Sequence, residues 1–363
     1  MDHHLAYDDL GTRATIARRR LCAACASGWL RREVAERAAN GAGPVSRVCR
    51  QYVSRRDGTA ASAISAAALK APVSRVIADP CPWCHRVSIT LALRGLLGRG
   101  VSCTRLDNDP EKASRGGWCF SQDDPDPLIG ASDLKAVYDS CTEGGSYTGR
   151  CTAPLLVDLQ TGTIISNESA DIIRMLNGLD LPAAEPAAES NDQAVDLYPS
   201  AKAAAIDETN AWTYELVNNG VYRCGFATKQ GAYEKAEADV HAGLRRCDDA
   251  LAASRFLCGD TVSEADVRLM PTVVRFDGVY APFFRCGRYQ VRSDYPNVRR
   301  WSEEMLKLTG PNLFDLDDAR TGYYRDLFPL NPGGIVPAGP SPRDLGWPQE
   351  AEPVSDASAF AWK

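Results

Sequence analysis

Residues 73–86 read Val-Ser-Arg-Val-Ile-Ala-Asp-Pro-Cys-Pro-Trp-Cys-His-Arg. Val73 to Ala78 is short and β-branched, the pattern of a buried strand. Asp79 to Pro82 stops it. From Trp83 to Leu97 the pattern turns helical, with apolar Val87, Leu91, Leu93, Leu96 and Leu97, and Gly98 and Gly100 are expected to end the helix. Cys81 therefore falls at an N-cap, and Pro82 in the first helical turn, where its missing N–H costs nothing. Unpaired backbone N–H groups point at the Cys81 sulfur, and the helix dipole adds partial positive charge. Both favour thiolate, so its pKa is expected below the free value of about 8.5. Arg86 would add to this if it turned toward the sulfur. Cys84 lies three residues on, on the same face, and could attack a mixed disulfide on Cys81. A C-x-x-C at a strand-to-helix junction is a redox signal. Two buried cysteines or half a zinc site are the competing readings, but no second C-x-x-C or paired His lies at zinc-site spacing. Cys22-Ala-Ala-Cys25 is the other close pair and reads as incidental; His85 reads as a packing or hydrogen-bonding residue.

Outward from that junction, Val101 to Leu106 is a second strand. Residues 107–150 form a loop rich in Gly, Asp, Ser and Pro, with one short helix near Asp133–Tyr138. Leu155–Asp158 and Thr163–Ser166 make a hairpin around Gln160-Thr-Gly162, and Glu168 to Leu176 is the next helix. Residues 73–180 thus predict a small mixed sheet with helices packed on it. Residues 181–194 are a linker by composition. Helical patterns at 200–217, 231–252, 264–281 and 296–308, with no strand pattern after 195, predict an all-α domain over 195–340, followed by a tail at 341–363. Residues 1–72 read as an N-terminal extension. Residues 1–56 carry eleven Arg and no Lys, as an organelle transit peptide would, against five acidic residues including Asp2, Asp8 and Asp9, which such peptides avoid. A helical or partly disordered arm is the plainer reading.

At 363 residues, a prior of about 150 per domain suggests two domains. Hydrophobic residues at 44% and charged residues at 24% exclude a disordered or fibrous chain. No window approaches the ~18 uninterrupted apolar residues of a membrane span. A net charge of −6 argues against nucleic acid as the partner. Thirteen cysteines at irregular spacing, without a secretory signal, point to reduced thiols in a cytosol-like compartment rather than to a disulfide framework.

From about Cys81 to Pro340 the chain resembles the glutathione transferase superfamily, and more narrowly its glutathionyl-hydroquinone reductases, the xi class, related to the omega class. The resemblance is carried by CPWCHR (81–86), GRCTAPLLVD (149–158), TGTIISNESADIIRMLN (161–177), NNGVYRCGFATKQGAYEKA (218–236), SEADVRLMPTVVRFDGVY (263–280) and LNPGGIVPAGP (330–340). It implies a thioredoxin-like α/β domain followed by an all-α domain, glutathione as co-substrate, no metal, quinone or hydroquinone conjugates as substrates, and a homodimer.

The resemblance also implies roles. Cys81 would be the nucleophile. Pro154 would be cis, turning Ala153 outward to pair main chain to main chain with the cysteinyl part of glutathione. Glu168 would take the α-ammonium, and Ser169 with its helix N-terminus a carboxylate; without the resemblance these two read as simple capping. Arg150 and Trp118 match family positions that hold the tripeptide. Tyr222 and Tyr324 are candidates for proton transfer, Tyr280 and Tyr323 for the electrophile pocket, since a phenol can donate to a quinol oxygen and stack on its ring. Ser263-x-x-Asp266 is a capping box opening the core helix of the α domain.

Two departures matter. The family usually carries Ala where this chain has Cys84, so Cys84 is a possible resolving thiol. Residues 1–72 have no match. A cytoplasmic location follows, with plastid or mitochondrion if the arm is a transit peptide. An omega-like thiol transferase or dehydroascorbate reductase, and a non-enzymatic ligand carrier or scaffold, are the alternative functions.

Overall fold

The computed structural model describes residues 73–77, 80–96, 101–108, 117–179, 195–310, 313–327 and 330–348. The expectations for the N-terminal arm, the Cys22–Cys25 pair, the 181–194 linker and the end of the tail lie outside the described residues.

The junction forms as its sequence demands. Strand β1 (Val73–Ile77) leads into helix α1 (Pro82–Leu93), then strand β2 (Val101–Asn108) runs parallel to β1. Strand β3 (Trp118–Phe120), helix α2 (Leu134–Ser140), strands β4 (Leu155–Asp158) and β5 (Thr163–Ser166) and helix α3 (Ser169–Asn177) follow. The sheet order is β3-β2-β1-β4-β5, with β4 antiparallel to β1 and both edge strands antiparallel to their neighbours. Three residues are too few to show a period, which is why β3 has no signature in the sequence. Helix α1 ends at Leu93 rather than Leu97, because Gly95 takes φ +61° and turns the chain one turn early.

α1 is buried on every side, with the sheet on one flank and helices on the others. It packs on α3, and on the helices Glu264–Arg275 and Pro296–Thr309 of the helical part. Its hydroxyls are tolerated because they bond back along the helix: Thr90 Oγ1 donates to the Arg86 carbonyl at 3.0 Å and Ser88 Oγ to the Cys84 carbonyl at 3.4 Å. Arg94, also buried, donates to the carbonyls of Leu179 (2.7 Å) and Val195 (2.9 Å). It therefore joins the last described residue of the sheet domain to the first of the helical one.

Helices α4 (Ala203–Thr213), α5 (Gly220–Gly225), α6 (Gln230–Ala253), α7 (Glu264–Arg275), α8 (Ala281–Phe283), α9 (Val291–Asp294), α10 (Pro296–Thr309) and α11 (Leu316–Asp326) make the second domain. The capping box of α7 is present. Asp266 is fully buried and accepts from Ser263 N (2.9 Å), Leu257 N (2.9 Å) and Trp301 Nε1 (2.9 Å). Two π-helical turns interrupt the pattern, at Tyr214–Asn218 between α4 and α5 and at Phe276–Tyr280 between α7 and α8. Among the described residues no helix is long and apolar enough to cross a membrane.

Candidate active site

Cys81 caps α1 in extended conformation (φ −79°, ψ 114°), with Pro82 next. Its thiol donates to the Ala153 carbonyl at 3.5 Å, and the Ala153–Pro154 peptide is cis. The sulfur thus lies between the start of a helix and the turn into β4, where unpaired N–H groups favour negative charge. Cys81 and Cys84 are 2% and 1% exposed and share a cluster with Trp118, Leu134 and Tyr138. The ten described cysteines are thiols.

Next to Ala153, the acceptor of the Cys81 thiol, opens a cavity of ≈ 580 Å³; Cys81 itself is not on its wall. Arg150, Ala153, Pro154, Glu168, Ser169 and Tyr222 line it. Trp118 is not on its wall; it sits in β3, packed in the cluster behind Cys81. Glu168 is the N-cap of α3 and accepts from Ala170 N at 3.2 Å, so the capping reading also holds. The Ser169 hydroxyl lies 3.4 Å from Glu168 Oε1.

Arg86 does not turn toward the sulfur. Its Nη1 donates to Ser169 Oγ at 3.4 Å, its Nε to the Arg268 carbonyl at 3.2 Å, and its guanidinium lies 4.4 Å over the Trp83 ring. Burial, and next the charge of Arg268, push its pKa down to about 9. Arg86, Arg150 and Arg268 against Glu168 leave the cavity net positive, suited to a ligand with more carboxylates than ammonium groups. Tyr214, Asn219 and Arg268 complete the wall. They come from the π turn, from the residue after it and from α7; Asn219 and Arg268 fall within the segments 218–236 and 263–280 that carry the resemblance, without being singled out there, and no motif marks Tyr214.

The tyrosines divide. Tyr222, Tyr280 and Tyr323 form one cluster: the Tyr222 hydroxyl lies 2.5 Å from that of Tyr323 and 3.4 Å from that of Tyr280, and Tyr280 and Tyr323 are 2.9 Å apart. Burial pushes all three phenols up. For Tyr280 the charge of Arg275 and the hydrogen bonds from Tyr222 and Tyr323 oppose that rise. Tyr222 is the member on the cavity wall, and Trp83 stacks near it with centroids 6.3 Å apart. Tyr324 stands apart with its ring 4.5 Å from Phe283 and is not on the cavity wall. His85 packs rather than reacts: it lies 3.0 Å from Arg275 Nη1 and stacks on Phe314 at 4.8 Å.

A thioredoxin-like sheet domain joined to an all-α domain, with a cysteine capping the first helix and a cis-proline beside it, is the architecture of the glutathione transferase class. The models of the glutathione S-transferase N-terminal and C-terminal domains match residues 80–179 and 230–304. The chain is 38% identical over 270 residues to glutathionyl-hydroquinone reductase YqjG of Escherichia coli, covering 72% of this chain and 76% of that one. To glutathionyl-hydroquinone reductase PcpF of Sphingobium chlorophenolicum it is 39% identical over 267 residues, covering 72% and 80%. The crystal structure of the Xi transferase of Phanerochaete chrysosporium superposes with a TM-score of 0.66 at 37% identity, over 75% of this chain and 90% of that one. The glutathione-bound structure of YqjG superposes at 0.65 and 36% identity, over 74% and 84%. The chain belongs to the glutathione S-transferase family and, within it, to the xi class of glutathionyl-hydroquinone reductases, and glutathione is its co-substrate.

Proposed function

We propose that the protein reduces glutathionyl-hydroquinones to hydroquinones, with Cys81 as nucleophile. The observation that supports this reading is a helix-capping thiol bonded to the Ala153 carbonyl at 3.5 Å, with Ala153 and the Tyr222 phenol on the wall of one cavity. Cys81 thiolate attacks the sulfur of the conjugate, forming a disulfide to glutathione and breaking the carbon–sulfur bond. The electron pair leaves with the aryl carbon, which takes a proton, so the quinol is reduced as two sulfurs are oxidised. Tyr222 suits the donor role because a phenol pushed up by burial holds its proton until the carbanion develops. A second glutathione then attacks the mixed disulfide, releases oxidised glutathione and restores the thiolate. Glu168 and Ser169 hold the γ-glutamyl head, Ala153 the cysteinyl backbone, and Arg150 a carboxylate, with Trp118 supporting the thiol from behind. Tyr280 and Tyr323 orient Tyr222 and close the quinol side, and Tyr324 stands as a secondary proton-transfer candidate.

A second reading, an omega-like thiol transferase, is favoured by Cys84, which would resolve the mixed disulfide as an internal one. Both chemistries suit a reducing cytoplasm. Purified protein should be offered glutathionyl-menadiol, a glutathione mixed disulfide and a halonitrobenzene. Turnover of the first that is lost in Cys81→Ser supports the proposal. Turnover of the mixed disulfide alone supports the second reading, and turnover unchanged in Cys81→Ser overturns both. If Cys84→Ala turns over as fast as the parent, the resolving role is wrong.

A further inference from the structure

We infer that Tyr138 is a positioning residue: from behind the cavity its hydroxyl ties the turn before β4 to the turn before α3, and so fixes the spacing of two walls that never pair with each other. The inference rests on glutathione lying in the cavity, as in the function proposed above. Tyr138 is in α2, is 1% exposed and is not on the cavity wall. Its hydroxyl donates to the Thr152 carbonyl at 2.8 Å and accepts from Asn167 Nδ2 at 3.1 Å. The Asn167 amide also donates to Thr152 Oγ1 at 3.3 Å. Thr152 and Asn167 both line the cavity, the first next to Ala153 and the second next to Glu168.

Backbone pairing does not supply this tie. The ladder between β4 and β5 pairs Leu156 with Ser166 at that end and goes no further. Past it, the two turns meet through the Tyr138 phenol and the Asn167 amide. Burial pushes the Tyr138 phenol up, so it keeps the proton that the Thr152 carbonyl accepts. The same helix reaches a third stretch of wall. The Tyr138 ring lies 4.8 Å from that of Tyr147, and Tyr147 N donates to Asp139 Oδ1 at 2.8 Å. The chain folds tightly over that ring, since a Cβ on Gly149 would fall 2.4 Å from the Tyr147 hydroxyl. Walls held in place beforehand spare the ligand the cost of ordering them, so the hydroxyl contributes to affinity without touching the ligand. Tyr138 lies outside every segment that carries the family resemblance.

The test is a double-mutant cycle on binding of S-methylglutathione, which cannot turn over. Tyr138→Phe keeps the ring and removes the tie, and should weaken binding roughly 10-fold. Asn167→Ala should cost a similar factor. The double variant should lose little more than either alone, because both changes break one link; losses that multiply to roughly 100-fold overturn the inference. Tyr233→Phe is the control, since it also removes a hydroxyl bonded to a carbonyl, that of Arg285 at 2.7 Å, away from the cavity. It should leave binding within about 2-fold, and a loss equal to that of Tyr138→Phe would reduce Tyr138 to a general stabiliser. In turnover, Tyr138→Phe should raise KM for glutathione roughly 10-fold with kcat at saturation within about 2-fold. A fall in kcat with KM unchanged overturns the inference. If Tyr138→Phe does not fold, Asn167→Leu carries the test, and unchanged binding there overturns it. Failure of the parent to bind S-methylglutathione overturns the reading of the cavity itself, whereas the other contrary results overturn the role of Tyr138 alone.

Discussion

At the scale of single residues, the chemistry was readable where it depends on neighbours in the chain. Cys81 is the clearest case: the break before it, Pro82 after it and the helix beyond fix its position without any tertiary knowledge. Glu168 and Ser169 were readable as a helix start, though not as partners of Arg86. That contact spans 83 positions, and nothing local to either end encodes it. The tyrosines were readable as a set but not in their grouping, since Tyr222 and Tyr323 meet across 101 positions. The grouping yields a prediction. Tyr222→Phe removes the phenol on the cavity wall and should lower kcat on glutathionyl-menadiol roughly 100-fold or more, with little change in glutathione affinity, because acid catalysis contributes about that much. Steady-state kinetics with a separate binding titration checks this; an unchanged kcat would remove Tyr222 from the proton-transfer step.

At the scale of elements, α1 does two jobs. Its start presents the thiol, and its body is the shared core of both domains. His85 belongs to the second job. Burial first, and the charge of Arg275 second, hold its pKa well below the ordinary value of 6.5. The unfolded chain takes up this proton near 6.5 while the folded one does not, so stability is lost as pH falls below that value. The slope is at most about 1.4 kcal/mol per pH unit. Denaturation midpoints at pH 7.5 and 5.5 should therefore differ more for the parent than for His85→Gln, and an equal drop in both would contradict the assignment. The π turns show what the sequence conceals at this scale. The helical patterns at 200–217 and 264–281 are real, yet the first runs into five residues wound more loosely, Tyr214–Asn218, and the second contains five, Phe276–Tyr280. Hydrophobic period does not distinguish one wide turn from an ordinary one. Those turns nevertheless bring Tyr214 to the cavity wall and Tyr280 to the phenol cluster. β3 escaped for the simpler reason of length.

At the scale of the whole molecule, the two-part architecture was the most readable feature, since alternating strands and helices give way to helix alone. The contact that joins the parts was not. Arg94 reads as an ordinary helix-end cation, but it ties Leu179 to Val195 by two carbonyls. Arg94→Ala leaves both acceptors without this donor, and urea denaturation should show a loss of about 2 kcal/mol; a loss below about 0.5 kcal/mol would mean that solvent replaces the clamp. We expect a homodimer, so light scattering should report twice the 39.3 kDa of one chain; the mass of a single chain would overturn this. The account as a whole turns on where the glutathionyl group goes. The direct measurement is the intact mass and peptide map of Cys84→Ala after one equivalent of glutathionyl-menadiol, without free glutathione. The account predicts one equivalent of menadiol released and one glutathionyl group held in disulfide on the peptide containing Cys81. Menadiol released with no adduct on that peptide would contradict it.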